Sequence, residues 1–317
     1  MDISASIHAM LTRAVPEDDM TAMLTTLDPL ALTGEQLADA ARAMLHYAAH
    51  FPAMPDMLDT CGTGGDGAHT RNVSTACAFV LAACGVCVVK HGNRAVSSKS
   101  GSADVLAALG INLSPRLDQV MAALRATNLA FLFAPDYHPN LSHVRAARAR
   151  LGTRSIFNVL GPLCNPARVR RQLVGVYDAR LLAPVAEALR LLGASDAAVV
   201  HAHDGLDEIS ISAPTDIIWL KDGATHAATI TPEIAGIKTY PHGAIAGGDA
   251  ALNAMALKDL LHGQHGGYKD AVLLNCAAAL QISGDASDWP HGVQLAQKAI
   301  KDGQAWKTFE AYRELTL

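Results

Sequence analysis

From Met57 onward the sequence alternates short apolar runs with longer alanine-rich stretches, and this alternation leaves few folds open. The predicted strands are Met57–Thr60, Val86–Val89, Leu129–Phe133, Leu173–Val176, Ala198–His201, Ile209–Ser212 and Ile217–Leu220. The predicted helices are Val73–Cys84, Ser102–Leu109, Arg116–Thr127, Leu141–Leu151, Leu181–Leu192, Asp249–Leu261, Tyr268–Gln281 and Trp289–Asp302. Strands separated by helix-length segments return by crossovers rather than hairpins, which makes neighbours parallel. The expected fold is therefore α/β, with a central, largely parallel sheet flanked by helices. The first fifty residues read instead as helices. Thr33-Gly34-Glu35-Gln36 has the spacing of a capping box, and Leu37, Ala40, Ala41, Met44 and Leu45 then fall on one face. Residues 139–168 interrupt the strand alternation with helix and loop. The expected organisation is a small helical domain over 1–54, completed by about 139–168, and a large α/β domain over 55–317. A ligand would sit in the cleft between them.

Composition narrows the partners. Half of the residues are apolar and 17% are charged, so a packed core is expected. The net charge of −5 argues against a nucleic-acid partner, whose affinity comes from neutralised phosphates. The longest apolar run, Ala76 to Val89, contains Gly85 and is too short to span a bilayer, so no membrane partner is expected. Met1-Asp2-Ile3-Ser4 opens no secretory signal. The 6 cysteines are scattered, and only Cys84 and Cys87 have redox or metal-type spacing, without a second such pair. A packing role and reduced thiols in the cytoplasm are the expectation.

Three polar runs carry the chemistry. Asp59-Thr60-Cys61-Gly62-Thr63-Gly64-Gly65-Asp66-Gly67 follows a strand and leads through Asn72-Val73-Ser74-Thr75 into a helix. Its glycines let the backbone approach a ligand, and the N–H groups of such a loop and of the next helix start attract an anion. The run fits neither the Walker A lysine pattern nor the dinucleotide GxGxxG. Lys90-His91-Gly92-Asn93-Arg94 and the serine-rich stretch to Ser102 also leave a strand end and enter a helix, adding fixed charge from Lys90 and Arg94 and neutral donors. In open α/β sheets ligands gather at the carboxyl ends of the strands. In the third run, His203-Asp204-Gly205-Leu206-Asp207-Glu208-Ile209, adjacent carboxylates in a turn suit Mg²⁺, which keeps water and shares phosphate oxygens. His201 and His203 lack further ligands at metal spacing.

Taken together, these runs resemble the anthranilate phosphoribosyltransferase family, as does Phe157-Asn158-Val159-Leu160-Gly161-Pro162-Leu163-Cys164-Asn165-Pro166-Ala167. The likeness extends from about Asp56 to the C-terminal helices. It implies an enzyme of tryptophan biosynthesis, with phosphoribosyl pyrophosphate (PRPP) and anthranilate as substrates, one or two Mg²⁺ ions as cofactor and a homodimer. It implies PRPP ligands at Gly62, Thr63, Gly64, Gly65, Asp66, Asn72, Ser74, Thr75, Lys90 and Ser102. It places the metal at Ser74, Asp207 and Glu208, and anthranilate at Gly62, His91, Asn93, Arg148 and Pro162. Pattern alone does not separate Arg148 from Arg145 and Arg150; the resemblance selects Arg148. Departures are Arg71 where an apolar or aromatic residue is common, Cys164 for the usual Thr, Asn140 in His138-Pro139-Asn140-Leu141, and a shorter N-terminal region, which leaves the dimer open. The related pyrimidine nucleoside phosphorylases are disfavoured by the intact lysine–histidine and acidic runs.

Overall fold

The computed structural model describes residues 2–52, 54–95 and 99–317. Ser97 and Ser98 of the second loop lie outside the described residues. Helices α1 (Ile3–Leu11), α2 (Glu17–Thr26) and α3 (Gly34–Leu45) open the chain. The capping box at Thr33 forms as expected, with its hydroxyl on the Gln36 N–H and the Gln36 side chain on its own N–H. Strand β1 (Leu58–Gly62), helix α4 (Val73–Ala83), strand β2 (Val88–Gly92), helices α5 (Ser102–Ala108) and α6 (Leu117–Thr127), and strand β3 (Leu129–Phe133) follow. The short α7 (Ala134–Tyr137), a 3₁₀ segment (Pro139–Val144), α8 (Arg145–Leu151) and α9 (Ile156–Leu163) precede β4 (Arg171–Gly175). Next come α10 (Leu182–Leu191), β5 (Asp196–Ala202), β6 (Thr215–Lys221) and β7 (Ala224–Ile230). The chain closes with α11 (Ala250–Leu261), α12 (Gly267–Ser283), α13 (Trp289–Lys301) and α14 (Gln304–Thr316).

The 7 strands form one sheet in the order β3-β2-β1-β4-β5-β6-β7. β3 through β5 run parallel and β6 and β7 antiparallel, which makes the sheet largely parallel as expected. Alternate residues of a strand point to opposite faces, and β4 and β5 use both. Leu173, Ala198 and Val200 join a core with α4, α5 and α11–α14. Val174, Ala197 and Val199 join a second core with α1–α3, α8, α9 and α10. The N-terminal helices therefore bury their apolar stripe against the segment after β3: α1 packs on the 3₁₀ turn, α2 on α8 and α3 on α9. β7 lies at one sheet edge and is exposed along most of its length.

Several expectations need correcting. Ile209–Ser212 is a buried bend rather than a strand, because Ile209 hydrogen-bonds in both directions with the Asn275 side chain instead of with a neighbouring strand. The predicted helix Leu141–Leu151 breaks into a 3₁₀ turn and α8, since Pro139 starts it and His143 and Asn140 turn to the Leu11 carbonyl. β7, α9 and α14 were not foreseen. Alternation fails in β7 because both of its faces meet solvent. Pro162 lies inside α9 and masks its helical pattern.

α14 covers the sheet edge at β3. The Phe131 N–H donates to the hydroxyl of Tyr312 at 2.8 Å, and Tyr312 stacks edge-on with Phe79. Tyr312→Phe leaves this buried N–H without a partner and is expected to destabilise the protein by about 1–3 kcal/mol. Urea unfolding followed by circular dichroism checks this.

Candidate active site

Strand order reverses between β1 and β4, and a crevice opens at the carboxyl ends of strands where such a reversal occurs. β1 ends at Gly62 and β4 at Gly175, side by side in register. The Asp207 segment lies across both ends. A Cβ on Gly175 would sit 1.6 Å from the Asp207 carbonyl oxygen, and one on Gly62 would sit 2.4 Å from its carboxylate. Only glycine admits this crossing. The loop beyond β1 is then drawn in: the Gly64 N–H donates to the Asp207 carboxylate at 2.7 Å, and the Thr63 N–H to the Gly175 carbonyl at 2.9 Å. The Thr63 hydroxyl accepts from the Tyr177 N–H at 3.1 Å.

α4 points its first turn into the same crevice. Asn72 stands at its N-cap position but makes no capping bond. Its side chain instead donates to the Ser100 carbonyl at 3.4 Å and accepts from Asn253 at 2.9 Å, which ties the glycine loop to α11. The Ser74 N–H donates to Glu208 at 3.2 Å. The Thr75 hydroxyl is buried and has no hydrogen-bond partner among the described residues. Lys90, only 3% exposed, donates to the Thr60 carbonyl and to the Ser74 hydroxyl. A buried ammonium, an orphaned hydroxyl and an uncapped helix start make an anion site.

The second loop folds around a carboxylate. Asp104 accepts from the Ala95 and Gly101 N–H groups and pairs with Arg94 at 3.0 Å. Arg94 is therefore already neutralised, and Lys90 carries the fixed charge inside the crevice. Ser102 donates to the Asn93 carbonyl at 3.3 Å.

Asp207 and Glu208 are adjacent and face the crevice. Burial first, and then a neighbouring carboxylate (Asp66 for Asp207, Asp207 for Glu208), pushes both carboxyls well above the ordinary range. Two half-buried acids held this close call for a cation. Among the described residues no three His, Cys, Asp or Glu side chains are grouped to hold a metal. The donor set is then two carboxylates with a nearby hydroxyl, which fits a hard ion that takes its other oxygens from water and phosphate. His201 and His203 are engaged elsewhere, with the Val176 carbonyl and with Asp216.

The opposite wall is apolar and comes from the helical side: Met44, Leu141, Phe157 and Pro162, with Arg148 and Asn158. The structure distinguishes the three arginines of α8. Arg150 pairs with Glu17 and Asp18, and Arg145 is exposed. Arg148 lines the cleft with its guanidinium 5.7 Å from the Phe157 ring. His91 stands between the two walls. Its Nδ1 meets the Gly161 carbonyl at 3.2 Å, so that nitrogen donates and Nε2 is left as a buried acceptor without a partner among the described residues. Burial, reinforced by His138, lowers its pKa to about 3 and keeps the ring neutral.

All sixteen residues singled out from the sequence line this one cleft of about 290 Å³. Sequence reasoning missed others. Thr70, Arg71 and Asn158 also line it. Arg154 donates to the Gly65 carbonyl and stacks on Tyr177 at 4.3 Å, which fastens the glycine loop to the segment before α9. Nothing in its sequence neighbourhood marks it. Cys84 and Cys87 are free, as are the other cysteines.

The model of the glycosyl transferase family a/b domain matches residues 54–306. The anthranilate phosphoribosyltransferase of Myxococcus xanthus is 47% identical over 96% of this chain and 91% of its own. This chain belongs to the anthranilate phosphoribosyltransferase family. The Desulfatibacillum aliphaticivorans member is likewise 47% identical, over 99% of this chain and 94% of its own. Among solved structures, the Thermus thermophilus member superposes with a TM-score of 0.93 at 37% identity, covering 99% of this chain and 94% of that one. The Saccharomyces cerevisiae member in complex with PRPP and Mg gives a TM-score of 0.88 at 29% identity, over 98% and 90%.

Gly175→Ala forces the Asp207 backbone off the end of β4. It is expected to weaken binding of divalent cation by about tenfold or more, because ligands displaced by even an ångström lose their geometry. Calorimetric Mg²⁺ titration, on protein shown folded by its melting curve, checks this.

Proposed function

We infer that this chain catalyses transfer of the 5-phosphoribosyl group from PRPP to the amine of anthranilate, releasing pyrophosphate. One observation carries the reading: a glycine loop, a buried lysine and a half-buried acid pair meet at the switch point of the sheet, opposite an apolar wall that holds Arg148, which has no ion pair among the described residues. The first set suits a diphosphate. The second suits an aromatic carboxylate. The yeast relative was solved both with PRPP and Mg and with 4-fluoroanthranilate, which supports a diphosphate donor and an aromatic carboxylate as the two substrates.

Asp207 and Glu208, with Ser74 beside them, would hold Mg²⁺, which when bound supplies positive charge to the leaving diphosphate. The loop N–H groups, the Thr75 hydroxyl and Lys90 stabilise the charge that develops as the bond from ribose C1 to the diphosphate breaks. The aryl amine is neutral near pH 7, so no strong base is needed. His91, neutral with a free Nε2, can accept one of its N–H bonds and aim the nitrogen's lone pair. Arg148 grips the carboxylate while Phe157 and Pro162 flank the ring. Such orientation can supply effective molarities of roughly 10⁵ M or more.

The helical segments 1–54 and 139–168 act in this reading as the anthranilate-bearing domain, and 55–317 as the PRPP-bearing one. The free thiols and the lack, among the described residues, of any helix long and apolar enough to cross a membrane support a cytoplasmic enzyme. The resemblance also implies a homodimer, which light scattering at assay concentration tests.

The direct experiment mixes protein, PRPP, Mg²⁺ and anthranilate and follows anthranilate fluorescence together with pyrophosphate release; turnover that is absent, or that persists at full rate without divalent metal, overturns the reading. Arg148→Ala removes charge-assisted bonds of about 1.5–3 kcal/mol each. It is expected to raise the anthranilate KM about tenfold to a few hundredfold and leave the PRPP KM nearly unchanged, as steady-state kinetics would report. The acid pair gives a pH signature. Its carboxyls titrate higher folded than unfolded, so the stability they contribute is full in acid and lost as pH rises through neutrality. The metal-free melting temperature should therefore fall from pH 5.5 to about 8.5, and Mg²⁺ should restore it at the alkaline end. Calorimetric scans with and without the ion test this.

A further inference from the structure

We propose that Asp59 is a positioning residue for the transfer: from inside the sheet its carboxylate fixes the carboxyl end of β2, and through it the orientation of His91. The proposal rests on the reading of the cleft given above.

Asp59 is the second residue of β1, is 0% exposed and does not line the cleft. Both of its oxygens accept the backbone N–H of His91, at 3.3 Å each. One also accepts the side-chain amide of Asn165 at 2.8 Å. That amide donates again to the Val89 carbonyl at 2.8 Å, and the Asn165 oxygen accepts the Ala167 N–H at 2.9 Å. A single carboxylate thus joins β1, the last turns of β2 and the turn that follows α9. The main-chain pairing of β1 with β2 is short, with Leu58 opposite Val88 as its registered pair. On the other side β2 is registered with β3 along its length, His91 opposite Leu132, but toward β1 the His91 backbone is held by the Asp59 side chain in place of a strand partner. The His91 ring is held from the other side by the Gly161 carbonyl, so backbone and ring are fixed from separate elements.

A purely architectural role does not explain the charge. Burial lifts the Asp59 carboxyl to about 6, against the pull of the Lys90 ammonium and of its hydrogen-bond donors. An uncharged residue could fill this strand position without that desolvation cost. A locally unfavourable group directly beneath a reactive site is where functional demand overrides stability.

Asp59→Asn in the full chain presents an NH₂ where only acceptors fit, so it sets a donor against either the His91 N–H or the Asn165 amide and loosens that contact. Removing a negative charge near Lys90 does not weaken phosphate binding, whereas loosening His91 costs alignment of the amine. The expected result is a fall of about tenfold or more in kcat/KM for anthranilate with a PRPP KM that rises no more than about twofold, measured on protein shown folded by its melting curve. Asn165→Ala, which keeps the charge and removes one of its bonds, should show the same split in weaker form, and it carries the test should Asp59→Asn not fold. Unchanged kinetics, or equal losses for both substrates, would overturn the role of Asp59. Wild-type protein that consumes no anthranilate would overturn the functional reading instead, which keeps the two failures apart.

Discussion

The close crossing of Asp207, its carboxylate over Gly62 and its backbone over Gly175, is the contact on which the rest of the site depends. It puts an acidic pair directly over the point where the sheet changes direction. From there one carboxylate captures the glycine loop and the other captures the first turn of α4. The loop and the helix are thereby aligned by the same two acids that would hold the counterion of their ligand. Neither acid is comfortable without that ion, since burial opposes their ionisation. The protein keeps an electrostatic demand at its centre that a cation and a polyanion together would satisfy.

Most of this was legible in the sequence, for identifiable reasons. Strands buried on both faces write continuous apolar runs, so β1 to β5 could be drawn to within a few residues. The glycine, lysine–histidine and acidic runs each sit at a strand end, where the topology must gather them. What escaped was chemistry without a local signature. Arg154 acts by donating to a loop far away in sequence. Arg94 reads as a free charge until Asp104 is seen to neutralise it. The Asp207 turn reads as ordinary acidic loop until the two glycines beneath it show how closely it packs. β7 and α14 were missed because one is exposed on both faces and the other follows Gly303 with no preceding strand to frame it.

The two walls of the cleft are built by different means. The phosphate wall consists of backbone at strand ends and the start of a helix, which the sheet positions rigidly. The aromatic wall consists of side chains on α3, α8 and α9, which are held by packing. Binding of an anion is thus programmed by main-chain geometry, while choice of the acceptor is left to replaceable side chains. This separation lets the charged half of the site remain fixed while the apolar half adapts.

β4 and β5 send alternate residues into two cores, one shared with the N-terminal helices and one with the C-terminal helices. A strand cannot leave one core while staying in the other. Thermal disruption of either layer must therefore strip the common strands from both. The helical segment around α1 to α3 has no private reserve of stability to retreat to, and the molecule should lose its order as one cooperative unit.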